Sequence, residues 1–369
     1  MAQTSTQRLG FEPLVVLKFL LEYTFSVDLR YDCLGIRSLK AFVFGQRESH
    51  KIFRYFMKLI LSKPRGFCAG VVRAIDCVER ALEIYGAPIY VKHQIVHNQH
   101  VVERLENKGA IFIEDLKEVP EGSILIYSAH GVSPQVRAIA KERNLKEIDA
   151  TCSLVTRVHS AVQRYAAKGY QILLIGHKDH VETIGTAGEA PDQTTIVESV
   201  SDVDGLDFCV DQPLFYITQT TLSLDDVQDI VEALKQKFPH IETLPSSSIC
   251  YATTNRQLAI KDIAYQCDVI FVIGDMRSSN SNRLVEVAKS QGVDAYLVHD
   301  AHQIQSCWLD NKHVIGMTAG ASTPEDIVQA CICKLQTLGV DSIEEVELLK
   351  EEVFFQLPKQ LLGAQTSFL

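Results

Sequence analysis

Three cysteines share a context that single residues rarely share by chance. Cys68 stands in Gly-Phe-Cys-Ala-Gly-Val-Val-Arg, Cys152 in Ala-Thr-Cys-Ser-Leu-Val-Thr-Arg and Cys250 in Ser-Ile-Cys-Tyr-Ala-Thr-Thr-Asn-Arg. Each is followed by small or hydroxyl residues, then an arginine, then a helical pattern. A thiol at a helix N-terminus is expected to titrate low, because the free N–H groups and the helix dipole favour its anion. Three such thiolates around one point repel each other unless a cation lies between them, which leaves zinc or an iron–sulfur cluster. Structural zinc sites usually take four ligands, many from short C-x-x-C loops; the ten cysteines here include no C-x-x-C pair. A cluster held by three cysteines leaves one iron without a protein thiolate, free to bind substrate as a Lewis acid. The competing interpretation is three buried core cysteines, since free cysteine is among the most buried residue types. Cys77 and Cys267 are expected to be core residues inside apolar helices. Cys331 and Cys333 should face different directions, and Cys33, Cys209 and Cys307 carry no motif.

Polar groups collect where open α/β sheets bind ligands, beyond the carboxyl ends of strands. Ile124–Tyr127 runs into Ser128-Ala129-His130-Gly131, and Phe215–Thr218 into Gln219-Thr220-Thr221. Val269–Ile273 leads to Ser278-Ser279-Asn280-Ser281, and Val314–Met317 to Thr318-Ala319-Gly320-Ala321-Ser322. Hydroxyls, an amide and backbone N–H groups at helix starts are the parts of an anion site, although Ser and Asn there also serve as ordinary N-caps. His97, His130, His177 and His180 lie near strand ends or in loops. With no G-x-x-x-x-G-K-[ST] loop present, imidazolium groups are the available cations for a diphosphate. Glu182, two residues beyond His180, is a candidate proton donor, since a carboxyl beside a bound anion has a raised pKa; a surface carboxylate is the plainer alternative.

The elements that must position these groups follow from periodicity. From Met57 on, short apolar runs alternate with helical spacing, the pattern of α/β units and largely parallel sheets. Strands are expected at Leu59–Leu61, Ile124–Tyr127, Ile172–Ile175, Phe215–Thr218, Val269–Ile273 and Val314–Met317. Helical spacing appears at Val72, Ile75, Val78 and Leu82, at Val155, Val158, Val162 and Tyr165, and at Leu258, Ile260, Ile263 and Ala264. The expected architecture is three similar small α/β domains, at 57–151, 152–247 and 248–340, arranged with pseudo-threefold symmetry so that the cysteines meet on its axis. Residues 341–369 form a tail. Residues 1–56 lack any clear period; Met57 is the expected start of the native protein, and an organelle transit segment is the alternative for the stretch before it.

Bulk properties limit the function. At 369 residues, 46% hydrophobic and 22% charged, the chain can bury several cores. Its net charge of −10 argues against nucleic acid, which needs a basic face. No apolar run long enough to span a membrane occurs, and the cysteine usage fits reduced thiols in a cytoplasmic protein.

Four stretches are specific enough to carry a family resemblance. Pro64-Arg65-Gly66-Phe67-Cys68-Ala69-Gly70-Val71, Ser128-Ala129-His130-Gly131-Val132, Ala150-Thr151-Cys152 and Ile249-Cys250-Tyr251-Ala252-Thr253-Thr254-Asn255-Arg256-Gln257 resemble 4-hydroxy-3-methylbut-2-enyl diphosphate reductase, the last enzyme of the non-mevalonate isoprenoid pathway. The resemblance spans roughly Met57 to Pro358. It implies one [4Fe–4S] cluster on Cys68, Cys152 and Cys250, with the substrate hydroxyl on the open iron. Two electrons and protons then remove that hydroxyl as water, giving isopentenyl and dimethylallyl diphosphate. It further implies that His97, His130, His180, Ser278, Ser279, Asn280 and Ser322 hold the diphosphate, that Thr220 lies near the substrate hydroxyl and that Glu182 supplies protons. No flavin or dinucleotide fingerprint is present, so a ferredoxin or flavodoxin is the expected electron donor; a monomer is the expected state. The chain departs from the family in three places. Where the family has His-Pro-Glu-Val-Glu-Gly-Thr, this chain has His180-Val181-Glu182-Thr183-Ile184-Gly185-Thr186, losing the proline and the second glutamate. Ser153 replaces the proline after the second cysteine, and residues before Met57 are generally missing from bacterial members. Two other classes fit the same residues: a zinc-dependent lyase or hydrolase acting on a phosphorylated metabolite, and a non-catalytic phosphometabolite-binding protein.

Overall fold

The computed structural model describes residues 26–32, 35–42, 56–209 and 211–362. The chain divides into two compact units, Met1–Arg54 and Tyr55–Leu369. In the first, β1 (Ser26–Asp32) and β2 (Gly35–Phe42) form an antiparallel hairpin with an irregularity between Arg30 and Tyr31. No strand is foreseen there, because the segment lacks clean alternation. Cys33 lies outside the described residues.

In the second unit three parallel sheets follow one another along the chain. After β3 (Met57–Lys63) and α1 (Ala69–Tyr85), the first sheet takes β4 (Ile89–Lys92), β5 (Ala110–Ile113), β6 (Ile124–Tyr127) and β7 (Lys146–Asp149), with α2 (Gln99–Glu106) and α3 (Pro134–Glu142) between them. Its strand order is β5-β4-β6-β7. Next come α4 (Ser153–Ala166), β8 (Gln171–Ile175), α5 (Val181–Ala187), β9 (Thr194–Val197), α6 (Val200–Asp204), β10 (Leu214–Thr218) and α7 (Leu224–Lys237). These give the second sheet, ordered β10-β8-β9. The third part holds α8 (Tyr251–Ala264), β11 (Val269–Ile273), α9 (Ser279–Ser290), β12 (Asp294–Val298), β13 (Val314–Ala319), α10 (Glu325–Thr337), β14 (Val340–Glu347) and α11 (Lys359–Leu362).

The third sheet is ordered β12-β11-β13-β3-β14. Two expected boundaries therefore differ from the sheets. The strand at Met57–Lys63, expected in the first α/β unit, pairs with β13 and β14 instead. Residues 340–347, expected in part as tail, form the edge strand beside it. A parallel strand covered on both faces reads as a plain apolar run, and such a run says nothing about which sheet it joins.

That pairing shows why the cysteines converge. Cys68 is the N-cap of α1, Cys152 of α4 and Cys250 of α8. Each stands where the chain leaves one sheet for the next. The segment before Cys68 lies in the third sheet, while α1 packs Val71, Ala74, Val78 and Ala81 into the core of the first. The strand before Cys152 is β7 of the first sheet, while α4 buries Val158, Ala161 and Val162 against Ile172 and Phe215 of the second. Before Cys250, Glu242 bridges to Phe215 of the second sheet, and α8 packs Ile260 and Ile263 onto Ile60 and Ile270 of the third. The backbone repeats the pattern. Cys68 N–H donates to Ala321 O (3.2 Å), Cys152 N–H to Ala129 O (3.0 Å) and Cys250 N–H to Thr220 O (3.0 Å). Each acceptor lies just beyond the end of a strand: β13, β6 and β10.

Other expectations resolve locally. Cys77 is buried inside α1, as is Cys331 inside α10, whereas Cys333 is exposed. Cys267 is buried but lies past the end of α8, in the turn before β11, rather than within a helix. Cys209 and Cys307 are exposed. Strand β11 is buried at every residue and central in its sheet. Phe271→Ala should therefore cost about 3–5 kcal/mol through lost packing and a residual cavity. A urea titration of the metal-free chain measures this; a shift no larger than that of Ile111→Ala, on the exposed edge strand β5, would place the core elsewhere.

Candidate active site

One cavity, with about 680 Å³ of empty space counting its open mouth, is lined by Cys68, Cys152 and Cys250 together with Glu182, Thr220, His97, His130, His180, Ser278, Ser279, Asn280 and Ser322. The three cysteines, the candidate acid and the residues expected to hold the diphosphate thus meet there, whereas Ser128, Gln219, Ser281 and Thr318 from the same strand ends do not line it. Nor does His177: its ring lies beside Arg283 and Glu198, outside this cavity.

The thiols face one another at the cavity floor. A Cβ on Gly70 would stand 2.6 Å from Cys152 Sγ and 3.8 Å from Cys68 Sγ, so only glycine leaves that space open. Burial, with added repulsion from neighbouring thiols, pushes Cys152 up to about 12 and Cys250 up to about 11. This reverses the expectation of low-titrating thiols: the helix N-termini supply N–H groups, but desolvation and mutual repulsion outweigh them. Anionic sulfur is stable here only beside a cation, so metal loading must release protons.

The spacing bears on which cation fits. Among the described residues, the one group of three or more His, Cys, Asp or Glu side chains with all ligand atoms within 4.8 Å is His100, His299 and Asp300, outside the cavity. The three thiols are spread more widely than that. A single zinc with Zn–S bonds of roughly 2.3 Å draws its sulfurs to about 3.8 Å apart. A cluster places each thiolate on a different iron, and the wider triangle fits it.

Glu182 is buried, with Thr220 N–H donating to Oε1 (2.6 Å) and Thr220 Oγ1 to Oε2 (3.0 Å). Burial raises its pKa despite these bonds. Burial thus favours the protonated carboxyl, while the Thr220 donors favour its anion.

The three histidines form a compact group. His97 stacks on His130 with ring centroids 4.1 Å apart, and His180 lies edge-on at 5.4 Å and 6.0 Å. Burial, with the nearby Arg277 charge, lowers His97 to about 4; burial with repulsion from neighbouring histidines lowers His180 to about 3 and His130 well below its usual value. His180 Nδ1 accepts from Glu182 N–H (3.2 Å), which puts the proton of the neutral ring on Nε2. His97 Nδ1 is buried without a partner, a vacancy that an anionic ligand's oxygen can fill once the ring is protonated. Ser322 Oγ donates to His97 O (2.9 Å), joining the third part of the chain to the first. Ser278 is indeed the N-cap of α9, accepting from Ser281 N–H, and it lines the cavity as well.

Thr221, named at the end of its strand, donates from Oγ1 to Ser279 Oγ (3.1 Å). Two polar residues escaped sequence reasoning. Thr253 Oγ1 lies 3.2 Å from Cys250 Sγ; its only sequence signal was its place in the stretch around Cys250. His159 is buried on α4 with Nδ1 2.7 Å from Glu189 Oε1, and its ring fills the space left by Gly131; nothing local marks it.

The LytB protein family model matches residues 59–336. The chain belongs to the LytB family. Among its LytB relatives, the 4-hydroxy-3-methylbut-2-enyl diphosphate reductase of Protochlamydia amoebophila is 65% identical over 311 residues, covering 84% of this chain and 99% of the relative. The enzyme of the same name from Chlamydia trachomatis serovar D is 61% identical over 305 residues, covering 82% and 99%. The solved Plasmodium falciparum E-1-hydroxy-2-methyl-but-2-enyl-4-diphosphate reductase superposes with a TM-score of 0.81 at 50% identity, over 83% of this chain and 97% of that one.

The departures from the usual LytB loop are mild in structure. Val181 and Ser153 each occupy the first residue of a helix, α5 and α4. Proline is favoured there because its missing N–H has no helical partner anyway, so its replacement keeps the helix start. Ile184, in place of the second glutamate, is 55% exposed and does not line the cavity.

The histidine group sets a pH dependence. Unfolded histidines protonate near 6.5, whereas the folded rings resist protonation down to about 4 or below. The unfolded state thus binds more protons in that window, so stability is complete above about pH 6.5 and is lost as pH falls through the folded pKa values. Urea midpoints should drop across this range, and His97→Asn should flatten the slope. A midpoint independent of pH would contradict the neutral, buried histidine group.

Proposed function

We propose that this chain reduces (E)-4-hydroxy-3-methylbut-2-enyl diphosphate to isopentenyl and dimethylallyl diphosphate, with one [4Fe–4S] cluster on Cys68, Cys152 and Cys250. The observation that carries this reading is the convergence of three thiols, one buried carboxyl and a ring of anion-binding groups on one cavity. The names of its close relatives support the substrate. When bound, such a cluster supplies electrons and an iron able to bind the hydroxyl oxygen.

The chain's own residues do the rest. His97, His130 and His180, with Ser278, Ser279, Asn280 and Ser322, hold the diphosphate by hydrogen bonds and, once protonated, by charge. This fixes the allylic carbon chain so that its hydroxyl points to the thiol floor beside Thr220. Glu182 gives a proton to the leaving hydroxyl, and Thr220 keeps the carboxyl oriented. The carbon–oxygen bond breaks, water leaves, and two electrons and a second proton, added at one or the other end of the allylic system, complete dimethylallyl or isopentenyl diphosphate. Apolar Val71, Val96, Leu154 and Val155 line the same cavity and limit the water around the reacting carbon. The electrons come from an external one-electron carrier, a ferredoxin or flavodoxin.

Anaerobically purified protein should be brown, with iron and sulfide near four each per chain. A colourless protein holding stoichiometric zinc sinks the assignment. Glu182→Gln should keep substrate binding but lower turnover by roughly 100-fold or more, the scale of a lost general acid. Unchanged turnover would remove Glu182 from the proton-donor role.

A further inference from the structure

The arginine after each cysteine forms a pattern that crosses between the three parts of the chain. Arg73, in the helix that starts at Cys68, donates from Nη1 to Thr151 O (2.9 Å) and from Nη2 to Asp149 O (3.2 Å). Both carbonyls lie in the segment entering Cys152. Arg157, in the helix that starts at Cys152, donates from Nη2 to Ser246 O (3.4 Å) and to Ser246 Oγ, in the segment entering Cys250. Arg256, in the helix that starts at Cys250, donates from Nη2 to Gly66 O (2.7 Å), in the segment entering Cys68. The first helix holds the second turn, the second holds the third, and the third holds the first. The ring closes.

We propose that Arg73, Arg157 and Arg256 are positioning residues that form this closed clasp and hold the three cysteine turns at the spacing the metal centre requires. The proposal rests on the cluster assignment above. Its physical basis is that the three turns leave three different sheets. Each turn is tied to the sheet it leaves through its own cysteine N–H, a bond that does not link it to the next cysteine helix. The arginine bonds supply that link, joined between the first and third turns by Ala69 N–H donating to Tyr251 Oη (3.4 Å). A guanidinium holds its donors in a rigid planar fork, whereas a lysine ammonium is a compact charge with rotatable donors on a flexible stem. Two joints are braced further by the C-terminal stretch: Arg73 Nε donates to Gln356 O (2.8 Å), and Arg256 Nη1 pairs with Glu351 Oε1 (3.0 Å).

The test uses the full chain, reconstituted anaerobically with iron and sulfide. Arg157→Ala is the main variant, because Arg157 is exposed and its loss leaves no buried charge. Arg73→Lys and Arg256→Lys retain charge but lose the fork. Arg164→Ala, on the same helix as Arg157 but set over the Tyr165 ring, is the control. The readouts are the rate of bleaching in a strong iron chelator, the electron paramagnetic resonance spectrum of the reduced protein, and thermal melting of the metal-free chain. Each clasp variant should bleach about 10-fold faster than wild type or more, the scale for groups that orient metal ligands. Its reduced spectrum should broaden, metal-free Arg157→Ala should melt with wild type, and Arg164→Ala should match wild type throughout. If wild type retains its cluster and Arg157→Ala and both lysine variants bleach at the same rate, the clasp is wrong and the cluster assignment stands. If bleaching quickens only as far as metal-free melting falls, the arginines are ordinary fold supports and the clasp is again wrong. Wild type that takes up no iron and sulfide overturns the cluster assignment and the clasp together.

Discussion

The molecule turns on one backbone constraint: each cysteine N–H is tied to a carbonyl just past the end of a strand in the sheet the chain is leaving. A parallel sheet presents its strand ends along one edge, and the chain must turn there before its next helix. Placing a cysteine at that turn puts its thiol at the helix N-terminus and over the same edge. With three sheets visited in succession, and the last sharing a strand with the start of the chain, three such turns come together. The residue after two of the accepting carbonyls is itself part of the site, His130 after Ala129 and Ser322 after Ala321. The bond that positions a thiol thereby positions a ligand-binding group as well.

Electrostatics then sets what the cavity can hold. Burial drives several of its titratable groups towards their neutral forms: Cys152, Cys250 and Glu182 upward, His97, His130 and His180 downward. Such a floor is stable with protonated sulfur or with sulfur on a metal centre, and the histidine wall is stable neutral or opposite an anion. The two halves suit each other. On the proposed function, a metal centre on the thiols and a diphosphate against the histidines would restore charge to groups the protein keeps uncharged by itself. Glu182 lies between them, with Thr220 donors favouring its anion and desolvation favouring its acid.

The loop that departs from the family pattern shows how local chemistry can be lost without loss of the site. Both missing prolines belong to first helical residues, where any residue that tolerates helical φ serves, and His180 and Cys152 remain as the caps. The missing second glutamate falls on the solvent side of α5, facing away from Glu182. One turn of a short helix separates a residue that lines the cavity from one that does not, and a linear motif does not show which is which.

The strands and cysteine-bearing helices were legible in the sequence because periodicity and repeated context are local properties. Val269–Ile273 is an unbroken apolar run and emerges as the fully buried β11. The apolar spacing of α1, α4 and α8 marks the faces that pack, and Cys68, Cys152, Cys250, Glu182, His97, His130, His180, Ser278, Ser279 and Ser322 reach one cavity, while His177 does not. Three things were decided only by tertiary structure. Strand Met57–Lys63 belongs to the third sheet, because an apolar strand pairs by register and neighbours that its own residues do not encode. Cys152 and Cys250 titrate high rather than low, because desolvation and repulsion from neighbouring thiols depend on how tightly distant turns converge. The arginine after each cysteine was visible as a repeat, yet its partner lies in the segment leading to a different cysteine, so its purpose appears only when the three turns are brought into a ring.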